Sequence, residues 1–240
     1  MYIFACESSS GTASVALIRD RSPLGEFSVN AGNTHTETLL PMTDALLRAC
    51  GITPADVGLF VLSAGPGSFT GVRIAAAHIK GLAFGRAVPA VAVSTLESLA
   101  FNLSGLCDIA APCLDARRNQ IYTSLFDCSG DYPVRMTPDE ALPAADAADR
   151  IASFAAEGRR IAVPGDGSHV LTAVLNERGI RAVTPHGTSR FQSAVSAALA
   201  GLLKYEKGEF TDAQSLRPVY LRVPQAERDR LERLNHNNNS

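Results

Sequence analysis

Two carboxylates and one glycine-rich loop are the residues of this 240-residue chain with the types and spacing to do chemistry. Glu7 closes a short apolar run and is followed by Ser8, Ser9, Ser10 and Gly11. Asp115 closes a second run, residues 109–114, and is followed by the polar stretch 116–120. Carboxylates at strand ends can act as general acids or bases, or hold a cation. Turn amides can equally well satisfy them, and residue type leaves both readings open. The loop is Gly65-Pro66-Gly67-Ser68-Phe69-Thr70-Gly71, directly after the apolar run 59–64. So much glycine demands positive φ angles or a close approach to other backbone. Ser68 or Thr70 can cap a helix starting here, and the free amides of a helix's first turn favour an anion. Two known phosphate loops are excluded. Walker A needs a lysine where this chain has Val72, and the third glycine of the dinucleotide fingerprint falls on Thr70. Ser68 also lacks the flanking glycines of a nucleophile elbow, so capping explains it better. Asp166, in Pro164-Gly165-Asp166-Gly167, reads as a turn residue.

Other chemistry is sparse. His35, His78, His169, His186 and His236 are isolated, with no pair spaced for one helix face, so no metal site is expected. The five cysteines are scattered and form no C-x-x-C pair, which argues for free thiols in a reducing compartment. Twenty-two basic against 24 acidic side chains give a net charge of -2, without the basic excess of a nucleic-acid binder. No segment has the apolar length of a membrane span, and the opening residues lack a leader's basic and long apolar regions. A cytoplasmic chain is the expectation.

The elements that must position these residues follow from periodicity. Residues 2–6, 12–19 and 24–29 predict strands, and 37–50 predict a helix ended by Gly51. Residues 72–85 predict a second helix, 89–93 a strand, and 95–100 a helix capped by Ser94 with Glu97 completing a capping box. The second half restarts the pattern: apolar run, carboxylate, polar turn, alternating strand at 121–126. Residues 133–149 read as peripheral, followed by a helix 147–157, a strand 160–164, and helices 168–178 and 190–205. Strands alternating with helices imply a mainly parallel sheet covered on both faces. Two faces stand out. Ala77, Gly81 and Gly85 recur every four residues, leaving a bare stripe that suits the chain's own sheet or a partner's helix. Helix 37–50 has only Glu37, Asp44 and Arg48 as a polar stripe, so it should be covered on two sides.

The layout of two acidic hairpins resembles the actin and sugar-kinase architecture. A closer resemblance rests on Ile3-Phe4-Ala5-Cys6-Glu7-Ser8-Ser9, His35-Thr36-Glu37 leading to Leu40-Pro41, the 65–71 loop with Val72-Arg73-Ile74, Val93-Ser94-Thr95-Leu96, Leu114-Asp115-Ala116-Arg117 and Pro218-Val219-Tyr220-Leu221-Arg222. In this combination and order the chain resembles the TsaB (YeaZ) family. The resemblance implies an α/β, actin-like ATPase (ribonuclease H-like) fold of two similar subdomains, each a mixed sheet flanked by helices, at 1–104 and 105–223, with a charged tail at 224–240. It implies a non-catalytic partner in tRNA N6-threonylcarbamoyladenosine synthesis, acting with a TsaD-type transferase and a TsaE-type ATPase and meeting tRNA through the complex. The partner contact would use Leu39, Met42, Leu46, Ala77, Gly81 and Gly85, the same faces serving a homodimer when the chain is alone. Such a fold leaves room for a weak ADP or ATP site with magnesium near Glu7, Ser8, Gly65, Gly67, Ser68, Thr70, Gly71, Arg73 and Asp115. Two departures count against activity: Glu7 stands where an Asp is usual, and Arg117-Arg118-Asn119 replaces cradling glycines. The alternatives are an ATP-dependent small-molecule kinase or ATPase of the same fold and, more distantly, a peptidase.

Overall fold

A computed structural model describes residues 1–32 and 34–222. In chain order the first half runs β1 (Tyr2–Glu7), β2 (Ala13–Arg19), β3 (Ser22–Val29), α1 (His35–Cys50), β4 (Val57–Ser63), α2 (Phe69–Leu82), β5 (Pro89–Val93) and α3 (Thr95–Phe101). The second half opens with β6 (Ile109–Ala110), β7 (Cys113–Asp115), β8 (Gln120–Thr123), β9 (Phe126–Asp127), β10 (Val134–Arg135) and β11 (Glu140–Pro143). It continues through α4 (Ala144–Ala156), β12 (Ile161–Ala162), α5 (Ser168–Glu177), β13 (Ala182–Val183), α6 (Ala194–Glu206) and β14 (Thr211–Asp212).

The first sheet has the order β14-β5-β4-β1-β2-β3, with β1, β4 and β5 parallel and β2 antiparallel to β1. Its central strands read as continuous apolar runs because helices cover both faces. Phe4, Val15, Leu17 and Phe60 pack under α1 and α2, while Ile3, Ala5, Ala16 and Val61 pack under α6. The second sheet repeats the plan in the order β10-β9-β6-β12-β13. There Ile109 faces Asp127 and Cys113 faces Thr123, so β6–β7 and β8–β9 keep one register and form a single interrupted hairpin. Setting β14 aside, both sheets follow the order third, second, first, fourth, fifth. This is the expected actin-like repeat of mixed sheets flanked by helices.

Several expectations need correction. Within 105–223, α6 lies on the first sheet and β14 pairs with β5, so these two elements join the first half. An alanine-rich helix can come that close: a Cβ on Gly201 would sit 2.5 Å from Val61 Cγ2. The stretch 133–149 is peripheral in supplying the edge strands β10 and β11, but its first turns of α4 put Ala144, Ala147 and Ala148 into the core. Helix α2 runs from Phe69 to Leu82, so Gly85 falls beyond it with φ 75°. Ser94 caps α3 as expected, but the Glu97 carboxylate leaves the capping box for Lys204 on α6, at 3.0 Å. The tail at 224–240 lies outside the described residues.

Candidate functional site

The glycine loop after β4 is pressed against the turn that follows β1. Ser68 N donates to Ser9 O at 2.6 Å, and Ser8 Oγ donates to Gly71 O at 2.8 Å. A Cβ at Gly67 would lie 2.3 Å from Ser9 O, and one at Gly71 1.9 Å from Ser8 O. Gly65 has φ 113° and sits under Val219, whose N donates to Ala64 O. Ser68 is the cap of α2, its Oγ accepting from Gly71 N at 3.2 Å. The glycines therefore permit two loops to touch, and amides that would cradle a phosphate are spent on Ser9 and Ser68. Beneath this contact Glu7 is fully buried, with Oε1 accepting from Ser9 N and Oε2 without a partner. Burial pushes its carboxyl above the usual range, the hydrogen bond from Ser9 N offsets part of that, and the Asp166 charge adds to the rise.

The second half builds the same contact from different residues. Gly165, with φ 110°, would place a Cβ 2.1 Å from Cys113 O, and Gly167 N donates to that same oxygen at 3.0 Å. Asp166 follows, accepting from Asp115 N at 3.3 Å. Its carboxyl is raised by burial and secondarily by Asp115. Asp115 itself is exposed and accepts from Arg117 N at 2.6 Å. Arg117, Arg118 and Asn119 then take the left-handed conformation in succession, with φ of 62°, 57° and 57°. That is a strained choice for non-glycine residues.

Between the two turns lies a cleft of about 790 Å³, lined among others by Ser10, Asp115, Arg117, Arg118, Asp166 and Arg222. The strap 219–222 crosses it: Tyr220 stacks on Phe69 at 4.8 Å, and Arg222 Nη1 donates to Ala116 O at 2.6 Å. Of the residues expected near a nucleotide, Gly67, Ser68 and Asp115 line the cleft. Glu7, Ser8, Gly65 and Gly71 are in the loop contacts instead, and Thr70 and Arg73 sit on the exposed side of α2. The arginines suit an anion. Among the described residues no group of three His, Cys, Asp or Glu side chains converges.

The two helices place their residues differently from expectation. Leu39, Met42 and Leu46 are 1%, 7% and 2% exposed, packed in the chain's own core, because α1 lies on the sheet through that face. They are not on an open face. Ala77, Gly81 and Gly85 are exposed, and a Cβ at either glycine would meet nothing within 4 Å. Thr70, Arg73, Ala77, Gly81 and Phe84 form one exposed stripe, with Phe84 at 81% exposure and Leu40 of α1 at 62%. Thr43 and His78 tie α1 to α2 at 2.8 Å.

The family model described as TsaD, tRNA N6-adenosine threonylcarbamoyltransferase, matches residues 29–200. The tRNA threonylcarbamoyladenosine biosynthesis protein TsaB of Bacillus subtilis is 32% identical over 231 residues, 95% of this chain and 96% of its own. The chain belongs to the TsaB family. Its namesake from Escherichia coli is 34% identical over 125 residues, 51% of this chain and 53% of its own. A solved structure of YeaZ from Pseudomonas aeruginosa superposes with a TM-score of 0.75 at 26% identity, covering 92% of this chain and 99% of that one. TsaB is thus the frame in which the cleft and the helix face are read.

Sequence reasoning on this TsaB-family chain missed three contributors. Asp166 was masked by its ordinary Gly-Asp-Gly turn, although its place after the fourth strand mirrors that of the 65–71 loop. Leu40 was detectable as the apolar residue between Glu37 and Asp44 on the polar stripe of α1. Phe84 carried no local signal, since an aromatic residue near a helix end is usually core. Among the described residues no helix is long and apolar enough to cross a membrane.

Proposed function

We propose that this chain is a non-catalytic partner in tRNA N6-threonylcarbamoyladenosine formation, binding and activating a TsaD-type transferase through the exposed faces of α1 and α2. One observation carries the reading: the α2 stripe has small residues at its centre, Ala77 and Gly81, and an anchor-like aromatic at its end, Phe84. A helix packed there can approach closely, and a solvent-exposed phenyl ring is the kind of residue that dominates interfaces when covered. Family membership supplies the partner's identity. The cleft supports the non-catalytic half of the proposal. The buried acid next to it, Glu7, lies beneath Ser9 and does not line the cleft, so it is out of reach of a group bound there and poorly placed to act as a general base. In the absence of the transferase the same face serves a homodimer. A TsaE-type ATPase completes the complex in the cytoplasm, and tRNA is met through the assembly, in keeping with a net charge of -2.

The test is tRNA threonylcarbamoylation with TsaD-type and TsaE-type partners and the activated threonylcarbamoyl donor, with and without this chain. Product is expected only when it is present, and the Gly81→Leu chain should fold yet fail to support the reaction. Product formation that ignores its omission would overturn the proposal. The arginine-lined cleft favours a second reading, an ATP-dependent kinase or ATPase. Tight calorimetric binding of ATP with magnesium, with turnover by the isolated chain, would establish it.

A further inference from the structure

We infer that the arginine rim of the cleft holds successive phosphates of a single RNA strand, with Tyr220 and Phe69 as the platform on which its bases stack. The inference rests on the proposed place of this chain in a tRNA-modifying assembly and names what the cleft does there. Arg117 and Arg118 stand next to each other at the tip of the second hairpin, both exposed, and Arg222 reaches the same cleft from the strap. Elsewhere in the second half Arg135, Arg150, Arg159, Arg160 and Arg178 each hold an Asp or Glu carboxylate. Among the described residues Arg117, Arg118 and Arg222 hold none. The carboxylates beside them are engaged by backbone instead, Asp115 accepting from Arg117 N and Asp166 from Asp115 N. Three guanidinium charges are thus left for an anion from outside the chain. The left-handed run 117–119 that presents two of them is backbone strain of the kind that collects at ligand sites.

The arrangement suits a strand better than one compact triphosphate. The guanidinium groups come from two separate segments, the hairpin tip and the strap, and a further cation lies on α2, where Arg73 sits over the Phe69 ring at 4.9 Å. Tyr220 stacks on that same ring at 4.8 Å and is still 42% exposed, so part of its own ring is open to a base. Cations that track a backbone beside aromatic rings are the means by which single strands are held without reading their sequence. A triphosphate would instead call on the amides of the 65–71 loop, and Ser68 N and Gly71 N already donate to Ser9 O and Ser68 Oγ. With a net charge of -2 the isolated chain should bind RNA weakly, the rim adding its contacts to those of the assembly.

The experiment measures fluorescence anisotropy of a labelled tRNA anticodon stem-loop against the full chain over a series of salt concentrations, together with the KM for tRNA in the reconstituted threonylcarbamoylation reaction. We expect salt-dependent binding whose log-log slope falls by about 1 with Arg117→Gln and by about 1 again when Arg118→Gln is added. Tyr220→Ala should weaken binding with the slope unchanged. Arg150→Gln, at an ion pair on α4, should alter neither. In the reaction the Arg117→Gln, Arg118→Gln chain should show a severalfold higher KM for tRNA while capturing the TsaD-type partner as wild type does, the reverse of Gly81→Leu. An unchanged KM in that double variant, beside lost partner capture by Gly81→Leu, would overturn the inference and leave the assembly reading standing. Displacement of the RNA by ATP with magnesium at matching concentration, or equal binding of poly-glutamate, would also overturn it, assigning the rim to a compact nucleotide or to an acidic protein segment.

Discussion

The two halves of the molecule make a similar contact, a glycine loop after the fourth strand pressed onto the end of the first strand or the turn that follows it, and use it for different ends. In the first half Gly67 and Gly71 lock onto Ser9 and Ser8, and the carboxyl of Glu7 is sealed beneath them. In the second half Gly165 and Gly167 lock onto Cys113 and its neighbours, but Asp115 stays in solvent and Asp166 faces the cleft. A fold repeat thus conserves backbone geometry and leaves side-chain chemistry free. One copy has become a brace and the other the rim of an open cleft.

The contrast can be broken most directly at the brace. Gly71→Ala puts a methyl 1.9 Å from a backbone oxygen, so we expect a loss of about 3–5 kcal/mol, seen as a fall in the urea midpoint. Gly130→Ala, with nothing within 4 Å, should stay within about 0.5 kcal/mol. Similar losses for both would show that the brace is not rigid. At the second contact Gly165→Ala combines a positive φ with a 2.1 Å approach to backbone, and about 2–4 kcal/mol is expected in the same measurement.

The buried acid gives a subtler difference. Because the folded state raises the Glu7 pKa, the folded chain binds this proton more tightly than the unfolded one does. Its contribution is complete below the model-peptide value of 4.5 and is lost as pH rises towards the folded pKa. Glu7→Gln should remove that component, so its stability relative to wild type improves from pH 4 to pH 8. A parallel pH profile for the two chains would place the ionised carboxylate in a better environment than the brace provides. The smallest effect is expected on the rim. Asn119→Gly relieves one left-handed residue and should stabilise by about 1 kcal/mol or less, whereas Gly165→Ala acts in the opposite direction.

Much of this was legible from residues alone. The order of strands and helices, the paired hairpins ending at Glu7 and Asp115, and Ser68 and Ser94 as caps all follow from local pattern, because strand alternation and helix caps depend on near neighbours. The helix faces were legible only in part. The arc of α1 was wide enough for two neighbours, yet Leu39, Met42 and Leu46 went to the sheet, leaving Leu40 outside. Periodicity finds an apolar face and is silent about what covers it.

What the sequence by itself determined is the family, the repeated α/β plan and the need for close backbone approach in residues 65–71. Composition and motif order carry that much, since glycine is required wherever a Cβ has no room. Only the tertiary structure decided that Ser8 and Ser9 are what those glycines approach, that α6 crosses to the first sheet, and that Asp166 joins the cleft while Glu7 is shut away from it. Each of these is a contact between segments far apart in the chain, set by which surfaces fit together once both sheets exist, and no local pattern encodes such a fit.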